Sequence, residues 1–160
     1  MSNAIAVEPF SRELYEEILP LARKCWSENT EQKLKTCAFY GDRDFAVEPD
    51  YETYQQIDKT RPILILTLRD SAILTGYVVG LLYNSWHHKR IKCIGCDSVY
   101  VEPSYRSFAP VLIKRFEKEA AERGVEIIGW PTTQNGPVYE LLKAMNYVGD
   151  DIVMEKRLCV

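Results

Sequence analysis

Positive charge is not in excess in this chain: 20 lysines and arginines stand against 23 aspartates and glutamates, a formal net charge of −3. That balance argues against a basic surface that holds nucleic acid. Long hydrophobic runs are also missing. No stretch approaches the roughly 20 apolar residues of a membrane helix, and the first residues lack the basic and apolar regions of a secretory leader. Histidine is scarce, and its two copies, His87 and His88, are adjacent. Neighbours on an extended segment point to opposite sides, and a structural zinc site usually takes about four ligands, so no metal is expected. Cysteine is odd in number, with 5 copies spread widely, which suits a reducing, cytoplasmic compartment. Cys93 and Cys96 have redox-motif spacing, but three residues apart on a strand they face opposite ways, so they read as two buried small residues. Repeats, low-complexity tracts and interdomain linkers are absent.

What is present fits one domain spanning residues 1–160, with 46% hydrophobic and 27% charged residues and length enough for a sizeable core. Residues 4–10 alternate weakly and predict a strand. Ser11 is a candidate N-cap for a helix whose stripe runs Leu14, Ile18, Leu21, Ala22 and Cys25. Pro20 should kink or split that helix. Residues 31–49 are mixed and polar, and 51–59 predict a second helix. Strands follow over 62–68, 75–83 and 91–101. A third helix runs from about Phe108 to Arg123, with Leu112, Phe116 and Ala120 on one face and Gly124 as its stop. A short apolar strand over 125–130 reads as interior. Pro137 opens a last helix through Met145, and 151–158 predict a terminal strand. Three consecutive strands, then a strand–helix–strand unit, imply a mixed α/β (α+β) domain. Its central sheet is mostly antiparallel, flanked by helices, with one parallel crossover.

The most informative stretch is Val99-Tyr100-Val101-Glu102-Pro103-Ser104-Tyr105-Arg106-Ser107-Phe108-Ala109-Pro110-Val111-Leu112. A strand that passes through a short basic loop into a helix start sets up an anion site, because the first helical N–H groups lack partners and the dipole is positive there. Tyr100, Val101, Pro103 and Arg106 resemble the acyl-CoA-binding signature of the GNAT N-acetyltransferases. Asn135 and Met145-Asn146-Tyr147 resemble that family's later elements, and the element order is similar throughout. The two glycines of the family loop correspond, without a gap, to Ala109 and Val111; otherwise the loop is shorter by a couple of residues. Glycine lets backbone N–H groups approach phosphate and accepts positive φ, and Pro110 brings no N–H. Arg106 and the N–H groups of Ala109, Val111 and Leu112 are left as the anion donors.

The resemblance implies a GNAT-like acyltransferase that uses acetyl-CoA as co-substrate, without metal, and passes the acyl group to an amine on a small molecule or a protein. Asp97, which precedes Val99, Tyr100 and Val101 on the cleft strand, is the candidate general base; the bland reading is a solvated or salt-bridged aspartate. By simple alternation it shares a face with Val99 and Val101, opposite Cys96, Ser98 and Tyr100. A backbone N–H of this strand is the candidate to hold the thioester oxygen. Leu142 falls where the family usually has its acid tyrosine, so Tyr139, one turn earlier, is the candidate acid, unless it packs on the sheet or water serves. Asn135 either bonds the pantetheine arm or forms a turn with Gly136. Trp130 lines an acyl tunnel or packs in the core. His87 or His88 borders the acceptor pocket, or both are solvated. A non-catalytic module that binds CoA or a partner protein is the alternative, and exposed strand edges leave a homodimer open.

Overall fold

The computed structural model describes residues 3–36, 48–132 and 136–149. Asn135 and the strand expected over 151–158 lie outside them. Five strands form one sheet in the order β1-β2-β3-β4-β5: β1 Asn3–Glu8, β2 Ile63–Asp70, β3 Ile73–Asn84, β4 Lys92–Val101 and β5 Ile127–Gly129. The first four are antiparallel neighbours, and β5 runs parallel to β4. The helices are α1 Arg12–Thr36, α2 Tyr51–Thr60, α3 Ala109–Glu122 and α4 Pro137–Ala144. The mixed, mostly antiparallel domain expected from the sequence is therefore the observed fold.

Local chemistry explains the boundaries. The Ser11 hydroxyl accepts from the Leu14 N–H at 3.1 Å, capping α1 as its sequence suggested. Asp50 does the same for α2, accepting from the Glu52 N–H. Both α3 and α4 end in paired C-terminal bonds: Val125 N–H to Ala120 O with Gly124 N–H to Ala121 O, and Tyr147 N–H to Leu142 O with Asn146 N–H to Lys143 O. Such an ending needs a left-handed residue. Gly124 supplies it at φ 76°, and Asn146 supplies it at φ 67°, since asparagine tolerates that region better than most residues.

Two expectations are corrected. Pro20 does not split α1, which is a single helix from Arg12 to Thr36 with the proline inside it. Pro20 sits on the exposed side, while Leu14 and Leu21 on either side of it are both buried in one cluster. That docking holds the helix across the missing N–H. The strand expected to be interior is shorter than predicted and, among the described residues, ends the sheet, with Ile127 51% exposed. Its apolar pattern could not tell an edge from a centre.

The sheet has a core on each face. Leu64, Leu66, Leu68, Val78, Leu82 and Ile94 pack with Leu112, Phe116 and Ala120 of α3. Ile65, Tyr77, Val79 and Tyr100 pack with Leu14 and Leu21 of α1. Gly80 lets α3 approach the sheet: a Cβ there would lie 2.5 Å from Phe116 Cζ and 2.7 Å from Ile94 Cδ1.

Candidate active site

One extra residue in β4 builds the site. Val79 pairs with Ser98 and Gly80 pairs with Cys96, so Asp97 has no partner across the ladder. This is a β-bulge, and it puts adjacent residues out of strict alternation. The expected faces are therefore corrected. Cys96 packs with Val99 and Val101 in the core beneath α3, where burial pushes its thiol pKa up. Asp97 instead turns toward α2, where its Oδ2 accepts a hydrogen bond from the Tyr54 hydroxyl at 2.6 Å. Burial and the Asp97 carboxylate both push the Tyr54 hydroxyl above the usual tyrosine pKa, burial being the larger cause. Beside it the Tyr77 and Ser98 hydroxyls share a 2.7 Å hydrogen bond. Asp97 itself is exposed.

Beyond the bulge β4 has an open edge. The ladder with β5 ends at Gly95 and Gly129. The Glu102 N–H donates to Thr75 O at 2.8 Å, so Tyr100 and Ser98 also turn their peptide groups to β3, and Val99 and Val101 turn theirs away. Two contacts mark that edge: Arg106 Nε approaches Val101 O at 3.5 Å, and the Cys25 thiol approaches Val99 O at 3.5 Å. The N–H groups of Val99 and Val101 point along the same edge.

A cavity of about 290 Å³ lies there, bounded by Val99, Tyr100 and Val101 of β4, Ala109 and Ile113 of α3, Pro137, Val138 and Leu141 of α4, Cys25 and Glu28 of α1, and Arg106. It is mostly apolar, and among the described residues Arg106 is the one cation in its walls. Arg106 Nη2 donates to Glu28 Oε2 at 2.6 Å, and the other oxygen, Oε1, accepts from the Tyr100 hydroxyl at 2.9 Å. Tyr100 has its pKa pushed up to about 12, by burial first and by the Glu28 carboxylate second. Lys24 forms a neighbouring ion pair with Glu102.

The loop expected to cradle an anion is a 3₁₀ helix, Pro103–Phe108, that runs straight into α3. No residue in it has positive φ. Without glycine the segment cannot make the alternating left-handed turns of a phosphate nest, so it coils. The Ala109 N–H, a candidate donor, is spent on Arg106 O.

Of the residues singled out from the sequence, Val99, Tyr100, Val101, Arg106 and Ala109 come together at the cavity. Asp97 lies two residues from its wall. Val111 is 54% exposed and Leu112 fully buried in the core, and neither side chain lines the cavity. Tyr139 is not among the described residues that line it, and Lys143 Nζ lies 5.4 Å from the centre of its ring. Trp130 packs on Phe116 and Tyr147, with ring centres 5.6 and 6.1 Å away. His87 and His88 are exposed in the β3–β4 connection. Sequence reasoning missed Tyr54 and Glu28. Tyr54 carried one weak signal, its place on the helix expected over 51–59; Glu28 carried none.

No protein-family model matches this chain, and no curated protein matches it in sequence. Solved structures do match in shape. A tetramutant of the BH1408 protein from Bacillus halodurans superimposes with a TM-score of 0.72 at 12% identity, over 96% of this chain and 99% of that one. A ribosomal-protein-alanine N-acetyltransferase from Brucella melitensis gives 0.65 at 16% identity, over 99% and 100%. AAC(6')-Iy, in complex with the bisubstrate analog CoA-S-monomethyl-acetylneamine, gives 0.65 at 11% identity, over 98% and 99%. The fold is that of the GNAT acetyltransferases. Among the described residues no group of three or more His, Cys, Asp or Glu side chains converges as a metal site, and no helix is long and apolar enough to cross a membrane.

Proposed function

We propose that the chain is an N-acyltransferase that moves an acetyl group from acetyl-CoA to an amine on a small molecule or a protein. The observation that carries this reading is the exposed Asp97 carboxylate at the bulge, beside the unpaired edge of β4. An ammonium must lose its proton before it can attack a thioester. Asp97 takes that proton, directly or through water, a contribution of typically ~10²–10⁴ in rate. The Tyr54 hydroxyl bonds one carboxylate oxygen and so orients the other. The outward N–H groups of Val99 and Val101 are donors for the oxygen of the reacting carbonyl. Among the described residues Tyr100 is the tyrosine lining the cavity, and its hydroxyl already donates to Glu28; in this reading water supplies the proton for the leaving thiolate.

When bound, acetyl-CoA supplies the activated acyl thioester. The apolar walls, Val99, Val101, Ile113, Val138 and Leu141, suit the arm that carries it. The test is a melting titration. Acetyl-CoA at ~100 times its dissociation constant stabilises a binder by ~2.7 kcal/mol, which at this length raises Tm by roughly 5–10 °C. Thiol release with a panel of amines should accompany it. No shift at millimolar acetyl-CoA overturns the reading.

A second reading has its own observation. Arg106 is already neutralised by Glu28, and the glycine-free loop is coiled. A GNAT-fold module that binds a CoA-type ligand without turnover would show the melting shift but release no thiol, and one that binds only a partner protein would show neither.

A further inference from the structure

We infer that Glu28 decides which part of a donor this cleft reads: it holds the anion position at Arg106, so the cleft selects a pantetheine-type acyl thioester by its uncharged arm and not by its diphosphate. This rests on the acyl-thioester reading above.

The geometry is specific. The Arg106 guanidinium turns one nitrogen to Glu28 Oε2 at 2.6 Å, and the remaining oxygen of the same carboxylate takes the Tyr100 hydroxyl at 2.9 Å. Both Glu28 and Arg106 line the cavity. The carboxylate thus engages the Arg106 guanidinium and the Tyr100 hydroxyl, two donors that a phosphate oxygen would compete for there. Two backbone positions at the helix start offer nothing in their place. The Ala109 N–H is bonded to Arg106 O, and Pro110 has none. A diphosphate arriving at this end meets a negative charge and must first displace Glu28. The rest of the wall asks for no charge: Val99, Val101, Ile113, Val138 and Leu141 are apolar.

Magnitude sets how strong this discrimination is. Both side chains of the pair are 48% exposed, and half-exposed ion pairs contribute little by themselves. Glu28 is therefore displaceable, and it grades affinity without closing the site.

The experiment measures binding of acetyl-CoA and of acetyl-pantetheine, which carries the same thioester arm without diphosphate, to the wild-type chain and to Glu28→Gln by calorimetry. Glutamine keeps the size and a hydrogen-bonding oxygen but removes the charge. The wild type should bind the two ligands within about threefold of each other, and Glu28→Gln should tighten acetyl-CoA by roughly fivefold while leaving acetyl-pantetheine within about twofold, as expected when a half-exposed like charge is removed beside an arginine. A merely structural role for Glu28 would move both ligands together, and that result overturns the inference. So does a wild type that binds acetyl-CoA more than about thirtyfold tighter than acetyl-pantetheine, since the diphosphate would then be read directly. If neither ligand binds either protein, the acyl-thioester reading fails as well, an outcome distinct from the other two.

Discussion

The sheet has two halves that meet within β4, and they are built to different ends. In the first, β2, β3 and the Cys93–Gly95 stretch of β4 have a strand on both sides. The buried positions there are filled mainly by Leu, Ile, Val and Tyr side chains, on both faces. In the second, from Asp97 to Val101, β4 has β3 on one side and a cavity on the other. The first half is held mainly by its ladders. The second leaves peptide groups of Val99 and Val101 pointing at a space. The change comes from one extra residue, and that residue is the aspartate. Continuous pairing makes a stable platform, and interrupted pairing makes somewhere for chemistry to happen.

The largest expected effect strikes the open half. Asp97→Asn should lower turnover by roughly 10²–10⁴, the contribution of a positioned general base, while the acetyl-CoA melting shift survives. Unchanged turnover would remove Asp97 as the base. Gly80→Ala strikes the closed half instead. The added methyl would meet Phe116 and Ile94 below 3 Å, and overpacking of this kind costs about 1–3 kcal/mol. Urea denaturation reads it directly; an unchanged midpoint would mean that α3 can slide on the sheet.

Tyr54→Phe is a finer test of the boundary. It keeps the ring and removes the hydroxyl that bonds Asp97. Loss of one hydrogen bond to a charged group should lower turnover by roughly tenfold, with the melting temperature nearly unchanged. Equal losses of stability and activity would show that Tyr54 only packs.

The smallest effect is a pH-dependent one in the closed half. Arg69 bonds Glu8, and with help from the Thr67 hydroxyl it holds the Glu8 carboxyl below its usual value of 4.5, although burial opposes this. A carboxylate with a depressed folded pKa contributes stability above the unfolded value and loses it as pH falls through the folded one. The Tm difference between wild type and Glu8→Gln should therefore be full at pH 7 and shrink as the pH drops below 4.5. A difference that does not change with pH would show that the Glu8–Arg69 pair is not what anchors β1 to β2.

Much of the closed half was legible in the chain. The runs 62–68 and 75–83 carry the Ile, Leu and Val of buried strands. Leu112, Phe116 and Ala120 repeat at helical spacing and are among the residues of α3 that reach the core. Ser11 and Gly124 punctuate as their chemistry demands. The open half was legible only in part. Asp97, Val99, Tyr100, Val101 and Arg106 stood out, but the face of Asp97 could not be read, because alternation counts residues and a bulge adds one without changing composition. Tyr139 was chosen from helical spacing alone, which says what shares a face and not where that face points.

By itself, then, the sequence determined most of the described elements, their order and the fold class, because periodicity, caps and turn residues act over a few positions. It also determined that the loop before α3 could not be a glycine nest. Only the tertiary structure decided the site. Tyr54 reaches Asp97 from 43 residues away, and Glu28 reaches Arg106 from 78. Those meetings depend on how helices dock on a bulged strand, and no local pattern along the chain encodes the distance between side chains so far apart.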